Sequence, residues 1–268
     1  MSNLSATQRL EIIREKNRPT VNDYIPAIFH HFTEFHGDRH YGDDAAIMAG
    51  IATLNSVPVT VIAQVKGRNL DENKKSNFSM PHPEGYRKAL RLAYQAEKFH
   101  RPVICFVDTP GAFCGVEAEK RGQGEAIAKN IAEFMTLKTP VISVVLGEGG
   151  SGGALALAVC DELAMLENAL YSVISPRGFA SILWKDPSRE KEAADLMKIT
   201  AEDLQRFGVC DKIIAEPVGG AHNDPNLTAD NISEYLMDAV ARLSALDTDT
   251  LLEKRYQKFR KIGVFSEG

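Results

Sequence analysis

Closely spaced cysteines are missing from this sequence. Its four cysteines, Cys105, Cys114, Cys160 and Cys210, form no CxxC pair along 268 residues. Zinc ribbons and disulfide frameworks depend on such spacings, so the sequence predicts neither of them. It also predicts no metal site in this chain. Cys105 and Cys160 lie in apolar runs and are predicted to be core residues. A reduced protein of the cytoplasm is the simplest interpretation.

An excess of positive charge is also absent, because the formal net charge is -5 at pH 7. Nucleic acids and anionic membranes bind to basic faces, so neither partner is predicted. The N-terminus lacks the apolar stretch of a signal peptide and is predicted to form a charged amphipathic helix. The longest nearly uncharged run, 139–160, contains Glu148 and five glycines. It therefore predicts a buried strand and helix joined by a turn rather than a membrane span.

Local patterns predict most of the secondary structure. Residues 20–35 begin with a Thr20-x-x-Asp23 capping pattern and predict a helix whose apolar face includes Phe32 and Phe35. The other predicted elements, in chain order, are a strand hairpin over 45–68 turning at Asn55-Ser56, a flexible loop over 69–83, a helix over 84–99, strands over 162–166 and 170–174, and mostly helix from 175 onward.

Two similar units occupy the middle of the chain. Residues 103–115 and 141–153 each contain an apolar strand followed by a glycine turn. A helix is predicted after each turn, the first reaching Leu137 and the second ending near Cys160. Strands that are apolar on both faces and alternate with helices are typical of a buried parallel sheet. The sequence therefore predicts an α/β fold.

The second glycine turn allows a dinucleotide-binding interpretation. Gly147-x-Gly149-x-x-Gly152 is a GxGxxG pattern, and Glu167 lies at the spacing expected for a ribose-binding acid. The pattern follows at least three earlier strands, however, and precedes a short helix. The "VDTPGA" run after the earlier strand resembles a GTPase motif, but the phosphate loop that GTPases need is missing.

The same turn also allows a serine-hydrolase interpretation, because Gly149-x-Ser151-x-Gly153 matches the nucleophile elbow. The other members of a triad would be Asp195 or Asp211 and His222. No aspartate has a distinctive setting, and His222 is followed by a polar loop. Ser151 is more simply explained as a small residue among four glycines.

A third interpretation uses backbone N–H groups from both turns. Pro110-Gly111-Ala112 and Gly149-Gly150 each lie between a buried strand and a helix start, where N–H groups and the helix dipole favour negative charge. Neighbouring parallel strands would place both turns at one edge of the sheet. Tight packing alone remains the alternative.

Several polar residues have less specific patterns. Lys66 and Arg68 end the predicted hairpin and are either solvated charges or a clamp for an anion. His36-x-x-x-His40 with Asp38 could suggest a metal site, but neighbouring glycines place these residues in a loop.

Longer ordered motifs go beyond these patterns. The chain resembles the α subunits of the bacterial acetyl-CoA carboxylase carboxyltransferase over roughly residues 20–260 in the runs "QVKGR", "NFSMPHPEGYRKALRLAYQAEKFHRPVICFVDTPGAFCG", "GEGGSGGALALAV", "YSVISPRGFASILWKD" and "EPVGGAH". The resemblance implies a crotonase-like superfamily fold, a spiral of repeated ββα units with a helical C-terminal part. It implies one domain over 1–268, with 1–40 as a helical N-terminal extension.

The resemblance also implies an activity and partners. Members transfer a carboxyl group from carboxybiotin on the biotin carboxyl carrier protein to acetyl-CoA, which forms malonyl-CoA for fatty-acid synthesis. They work as α2β2 assemblies with a zinc-ribbon β subunit, together with biotin carboxylase in the holoenzyme. A carboxyltransferase subunit of another biotin-dependent acyl-CoA carboxylase is the closest alternative, followed by a non-catalytic assembly subunit and by a serine hydrolase.

The family's functional residues map onto positions of this chain. Gly149 and Gly150 are expected to supply an oxyanion hole, and Gly111 and Ala112 a second turn of donors. Arg68 and Lys66 are expected to bind substrate, with Arg68 the better candidate for the transferred carboxylate. The chain departs from the usual family residues at Phe113, Cys114, Arg177 and Phe179.

Overall fold

The computed structural model of the chain describes residues 4–263. Its strands are β1 His30–Glu34, β2 Ile47–Leu54, β3 Val57–Gln64, β4 Val103–Thr109, β5 Val141–Gly150, β6 Glu162–Leu166, β7 Leu170–Ser172 and β8 Lys212–Ile214. Its helices are α1 Ala6–Ile13, α2 Val21–Ile28, α3 Leu70–Lys75, α4 Pro83–Lys98, α5 Val116–Lys120, α6 Gln123–Thr136, α7 Ser151–Ala158, α8 Pro176–Phe179, α9 Glu190–Leu196, α10 Ala201–Arg206, α11 Pro225–Ser244 and α12 Thr248–Lys261.

The eight strands form one mixed sheet in the order β1-β2-β3-β4-β5-β6-β8, with β7 beside the end of β5. β1, β2 and β3 are antiparallel, whereas β3, β4, β5, β6 and β8 run parallel. All seven residues of β4 are buried, which confirms the predicted buried parallel sheet. Cys105 and Cys160 are fully buried, as predicted.

The hairpin and the two central strand–turn–helix units are confirmed. Asn55 and Ser56 have φ angles of 42° and 70°, the left-handed geometry of a tight turn that matches strand twist. The predicted helix over 84–99 is α4, and the predicted N-terminal helix is α1. Residues 1–3 of that prediction lie outside the described residues.

The prediction of one helix over 20–35 is wrong beyond Ile28. The capping pattern is present, because the N–H of Thr20 donates to Asp23 Oδ2 at 2.8 Å. After Ile28, however, the chain becomes β1, which pairs with β2 at the edge of the sheet. Phe32 and Phe35 pack on the core from extended backbone. Pairing with β2 therefore decides the structure here, and no local pattern could supply that contact.

Three other predicted boundaries are also corrected. The expected flexible loop over 69–83 contains α3, whose first turn is capped by Asn69 accepting the N–H of Glu72 at 3.0 Å. The helix expected to run to Leu137 is interrupted at Gly122, where φ is 83°. The strand expected over 170–174 ends at Ser172. The C-terminal part is mostly helical, as predicted, but it also contributes β8.

No helix within residues 4–263 is long and apolar enough to cross a membrane.

Candidate active site

The two glycine turns lie side by side at the carboxyl ends of β4 and β5, as predicted. Thr109 of β4 is paired with Gly149 of β5. A Cβ on Gly150 would lie 2.1 Å from the carbonyl oxygen of Pro110, and a Cβ on Gly153 would lie 2.5 Å from the Ala112 nitrogen. Both distances are too short for any side chain. Glycine is therefore required at both positions for the turns to approach each other.

The turn after β4 has one available N–H group. The N–H of Gly111 donates to Thr109 Oγ1 at 3.1 Å, and the same hydroxyl donates to the Gly111 carbonyl at 2.7 Å. Within residues 4–263, the N–H of Ala112 makes no hydrogen bond. Of the two donors expected in this turn, Ala112 is therefore the one that a ligand could use.

The turn after β5 is partly strand and partly helix. Gly149 and Gly150 pair with Tyr171 and Ser172 of β7, and α7 begins at the next residue, Ser151. The first N–H groups of a helix have no acceptor within that helix and favour negative charge. Both glycines line a narrow pocket, whose other residues include Arg14.

Ser151 has an unusual backbone but no catalytic partners. Its φ angle is 52°, which is uncommon for a residue other than glycine. Asp195 instead accepts the N–H of Thr7 at 3.0 Å, and Asp211 accepts the N–H of Leu163 at 2.7 Å. Among the described residues, no hydrogen bond joins Ser151 to an aspartate or to His222. The nucleophile–base contact of a serine hydrolase is not formed.

The dinucleotide interpretation is also contradicted. Gly147 and Gly149 lie inside β5 rather than in a turn, and a Cβ on Gly147 would lie 2.8 Å from the carboxylate of Asp108. Glu167 accepts the N–H of Glu216 at 3.3 Å. These glycines therefore allow close packing between strands, and Glu167 forms a backbone contact near β8.

Lys66 and Arg68 lie just beyond the end of β3, the strand next to β4. Lys66 Nζ is 3.8 Å from Asp108 Oδ1, and the half-exposed guanidinium of Arg68 pairs with Asp23. Both residues line a cleft of about 250 Å³. The charged residues around this cleft are Arg14, Glu15, Lys16, Arg18, Lys66, Arg68 and Asp108.

Arg14 is a site residue that the sequence did not indicate. It lines both this cleft and the pocket of Gly149 and Gly150, and it contacts Glu148 at 2.9 Å and Glu190 at 3.1 Å. Burial alone would lower its pKa, but these two carboxylates outweigh burial and raise it. Arg14 follows α1, and no local signal shows that this segment lies across the sheet edge.

Arg18 connects the N-terminal segment to β5 from a buried position. Its guanidinium contacts both carboxylate oxygens of Glu216 at 2.8 Å and donates to the carbonyl of Leu146 at 2.7 Å. Burial would raise the pKa of Glu216, but the hydrogen bond and charge of Arg18 lower it below its usual value. The pair is therefore ionised and supports the strand that carries the glycines.

The histidine loop has a structural role. Asp38 accepts the backbone N–H groups of His40, Tyr41 and Gly42 and the side chain of Arg87. Burial acts to raise its pKa, but these four donors lower it to about 2. Within residues 4–263, no three His, Cys, Asp or Glu side chains are grouped closely enough to hold a metal.

Comparison with known sequences decides the family. Residues 1–263 match a family described as acetyl co-enzyme A carboxylase carboxyltransferase-like. An acetyl-coenzyme A carboxylase carboxyl transferase subunit alpha from Clostridium acetobutylicum is 63% identical over 98% of this chain and 96% of its own length. The chain belongs to the α-subunit family of acetyl-CoA carboxylase carboxyltransferases. Its activity is carboxyl transfer within acetyl-CoA carboxylase, with the acyl group carried on coenzyme A.

A related sequence contains two subunits in one chain. A protein from Clostridium tetani, named carboxyl transferase subunits beta/alpha, is 58% identical over 98% of this carboxyltransferase chain and 46% of its own length.

Solved structures support the carboxyltransferase fold. The transcarboxylase 12S core, solved with methylmalonyl-coenzyme A, superposes with a TM-score of 0.68 at 20% identity, covering 87% of this chain and 44% of that one. A Pseudomonas malonate decarboxylase hetero-tetramer, solved with coenzyme A, superposes with a TM-score of 0.63 at 20% sequence identity. The match covers 81% of this chain and 86% of that chain. The predicted crotonase-like fold is confirmed.

Proposed function

We propose that this chain is the α half of a carboxyltransferase that moves a carboxyl group from carboxybiotin to acetyl-CoA. The donor is carried on the biotin carboxyl carrier protein, and the product is malonyl-CoA, the first committed intermediate of fatty-acid biosynthesis. Residues 1–268 act as one carboxyltransferase domain. The observation that carries this proposal is the close approach of two glycine turns at one sheet edge, where a Cβ on Gly150 would meet the Pro110 carbonyl.

The proposed chemistry needs hydrogen-bond donors that stabilise negative charge more than it needs a side-chain base. Loss of the carboxyl group from carboxybiotin as CO2 leaves an anion on the ureido oxygen, and that anion can accept a proton from the acetyl thioester. The enolate formed in this way attacks the released CO2, which makes the new carbon–carbon bond of malonyl-CoA. Backbone N–H groups that are fixed before the reaction stabilise such oxyanions.

The donors that we assign are the N–H groups of Gly150, at the start of α7, and of Ala112. Gly149, which is paired on both sides within β5, and Gly111 shape the two turns. The unpaired N–H of Ala112 supports this assignment because an unpaired donor can bind a ligand without first breaking a contact. Ser151, which is exposed at the start of α7, is assigned no part in the chemistry.

Arg68 and Lys66 are the cations that we assign to the transferred carboxylate. Arg68 is half exposed, and its partner Asp23 is also accessible to solvent. An exposed ion pair of this kind is weak, so a carboxylate can replace Asp23 at low cost. Lys66 is already close to the buried carboxylate of Asp108, which leaves Arg68 as the better contact.

We propose that a zinc-ribbon β subunit completes the site in an α2β2 assembly, which works in the cytoplasm with the carrier protein and biotin carboxylase. The Clostridium tetani relative, in which beta and alpha form one chain, supports an intimate contact. On this chain we assign the contact to the region after β7, where Val173, Ile182 and Leu183 are 82%, 58% and 62% exposed. The apolar stripe of α4 is buried within the chain and is not available for this contact.

Reconstitution with the β subunit tests this function. The complex is supplied with carboxybiotin and either acetyl-CoA or propionyl-CoA, and the products are separated by chromatography. The proposal expects malonyl-CoA from acetyl-CoA as the preferred product. Preference for propionyl-CoA would instead support a carboxyltransferase of another acyl-CoA carboxylase, and absence of both products would support a non-catalytic subunit.

A further inference from the structure

One buried side chain connects the two glycine turns. Gln64 is the last residue of β3 and is fully buried. Its Oε1 accepts the backbone N–H of Asp108 at 3.1 Å, and its Nε2 donates to the carbonyl of Gly153 at 2.8 Å. Both ends of the amide are therefore used, one toward β4 and the other toward α7.

The two partners of Gln64 belong to the segments that form the turns. Asp108 is the second residue before Pro110, and Gly153 lies in the first turn of α7, three residues after Gly150. The Gly153 backbone already approaches Ala112 so closely that a Cβ would lie 2.5 Å from its nitrogen. A small shift of either segment would therefore change the separation between the donors.

Among side chains of about the length of glutamine, the amide is the one that can both accept the Asp108 N–H and donate to the Gly153 carbonyl. A carboxylate cannot donate to the Gly153 carbonyl, and methionine, which has a similar length, can replace neither hydrogen bond. A buried polar group that loses its partner is costly, so the turns would shift to find new partners. Such a shift affects the charge that develops during the reaction more than it affects binding of the substrates.

We propose that Gln64 is a positioning residue that fixes the separation between the two donor turns and thereby sets the rate of carboxyl transfer. This inference rests on the proposed function, in which those turns hold the oxyanions. Gln64 does not line the site, so it acts through the backbone of Asp108 and Gly153.

Gln64→Met in the reconstituted α/β complex tests the proposal, with Ser143→Ala as a matched control. Ser143 is equally buried and donates to a carbonyl of the same helix, that of Leu157 at 2.6 Å, but at the end remote from the turns. We expect Gln64→Met to lower kcat about 10- to 100-fold, less than outright loss of an oxyanion donor, with KM changed less than about threefold. Ser143→Ala should leave kcat within about threefold.

The outcomes distinguish failure of the positioning role of Gln64 from failure of the proposed function. Equal kcat values for Gln64→Met and Ser143→Ala, or a rise in KM alone, would overturn the positioning role while leaving the proposed function intact. A wild-type complex that makes no malonyl-CoA would overturn both. If Gln64→Met does not assemble, Gln64→Leu replaces it, since its smaller apolar side chain also lacks both the acceptor for Asp108 and the donor for Gly153. An assembled Gln64→Leu complex with wild-type kcat, or failure of both variants to assemble beside a stable Ser143→Ala, would also contradict the proposal.

Discussion

Gly150 packs against Pro110 so closely that a Cβ on Gly150 would lie 2.1 Å from the Pro110 carbonyl oxygen. This contact joins the two turns to which we assign the oxyanion donors. Because the added Cβ and the Pro110 carbonyl oxygen would each be attached directly to backbone, neither atom can move without moving its turn. The contact therefore makes the geometry of the site depend on a residue that carries no functional side chain.

Gly150→Ala should lower activity, because the added Cβ would push the two turns apart. We expect kcat to fall roughly 100- to 1,000-fold, the loss expected when one oxyanion donor is displaced. Gly152→Ala is the matched control, because its Cβ would meet only Ile127 at an ordinary 3.5 Å. Malonyl-CoA formation and urea unfolding are measured for both variants. Equal activity of the two alanine variants would show that the turn separation is unimportant.

Ser151→Ala should leave carboxyl transfer within several-fold of wild type. The proposed chemistry uses backbone groups here, and the described residues provide no His or Asp hydrogen bond to Ser151. The measurement is kcat/KM for malonyl-CoA formation. Removal of a true nucleophile costs about 10⁴-fold or more, so a loss of that size would support the hydrolase instead.

Arg68→Ala should slow transfer without preventing assembly. A charge-assisted contact contributes about 1.5–3 kcal/mol, which corresponds to roughly 10- to 150-fold in kcat/KM. Arg242→Ala is a suitable control, since Arg242 is similarly exposed and pairs with Glu162. If both assembled variants keep wild-type kinetics, Arg68 is only a surface charge.

Glu216→Gln should destabilise the chain in a pH-dependent way. It leaves the buried Arg18 guanidinium without its countercharge, which costs about 3–5 kcal/mol. Because the pKa of Glu216 is lowered in the folded chain, its contribution is complete above the unfolded pKa of about 4.3 and is lost as the pH falls through the folded value. Urea unfolding at pH 7 and at lower pH should show a difference that shrinks on acidification.

The control for this pair is Glu253→Gln, which changes an exposed glutamate on α12. Its unfolding free energy should stay within about 0.5 kcal/mol of wild type. A Glu216→Gln chain that is equally stable, or a difference that grows at low pH, would mean that Arg18 does not depend on this partner.

The sequence was most informative where one segment determines its own structure. The hairpin at Asn55-Ser56 follows from turn chemistry, and the two glycine turns follow from apolar strands with helix starts behind them. Their meeting was also predictable, because neighbouring parallel strands end at the same edge of a sheet. The long family motifs supplied the activity, which local pattern alone left open.

The sequence was least informative where contacts between distant segments determine the local structure or the position of a side chain. Phe32 fits a helical spacing, yet pairing with β2 makes its segment a strand. Arg14 and Arg18 reach the site because the N-terminal segment crosses the sheet edge, and Glu216 holds Arg18 from almost 200 positions away. Gln64 carries no motif, since its importance comes from hydrogen bonds to two segments at once.

The most direct test of the account compares the purified chain alone with the chain reconstituted with a β subunit. Malonyl-CoA formation from carboxybiotin and acetyl-CoA is measured at equal concentrations of the chain. We expect no significant turnover alone and recovery on adding β, because we propose that the β subunit completes the active site. Turnover by the chain alone at the rate of the reconstituted pair would contradict the shared site.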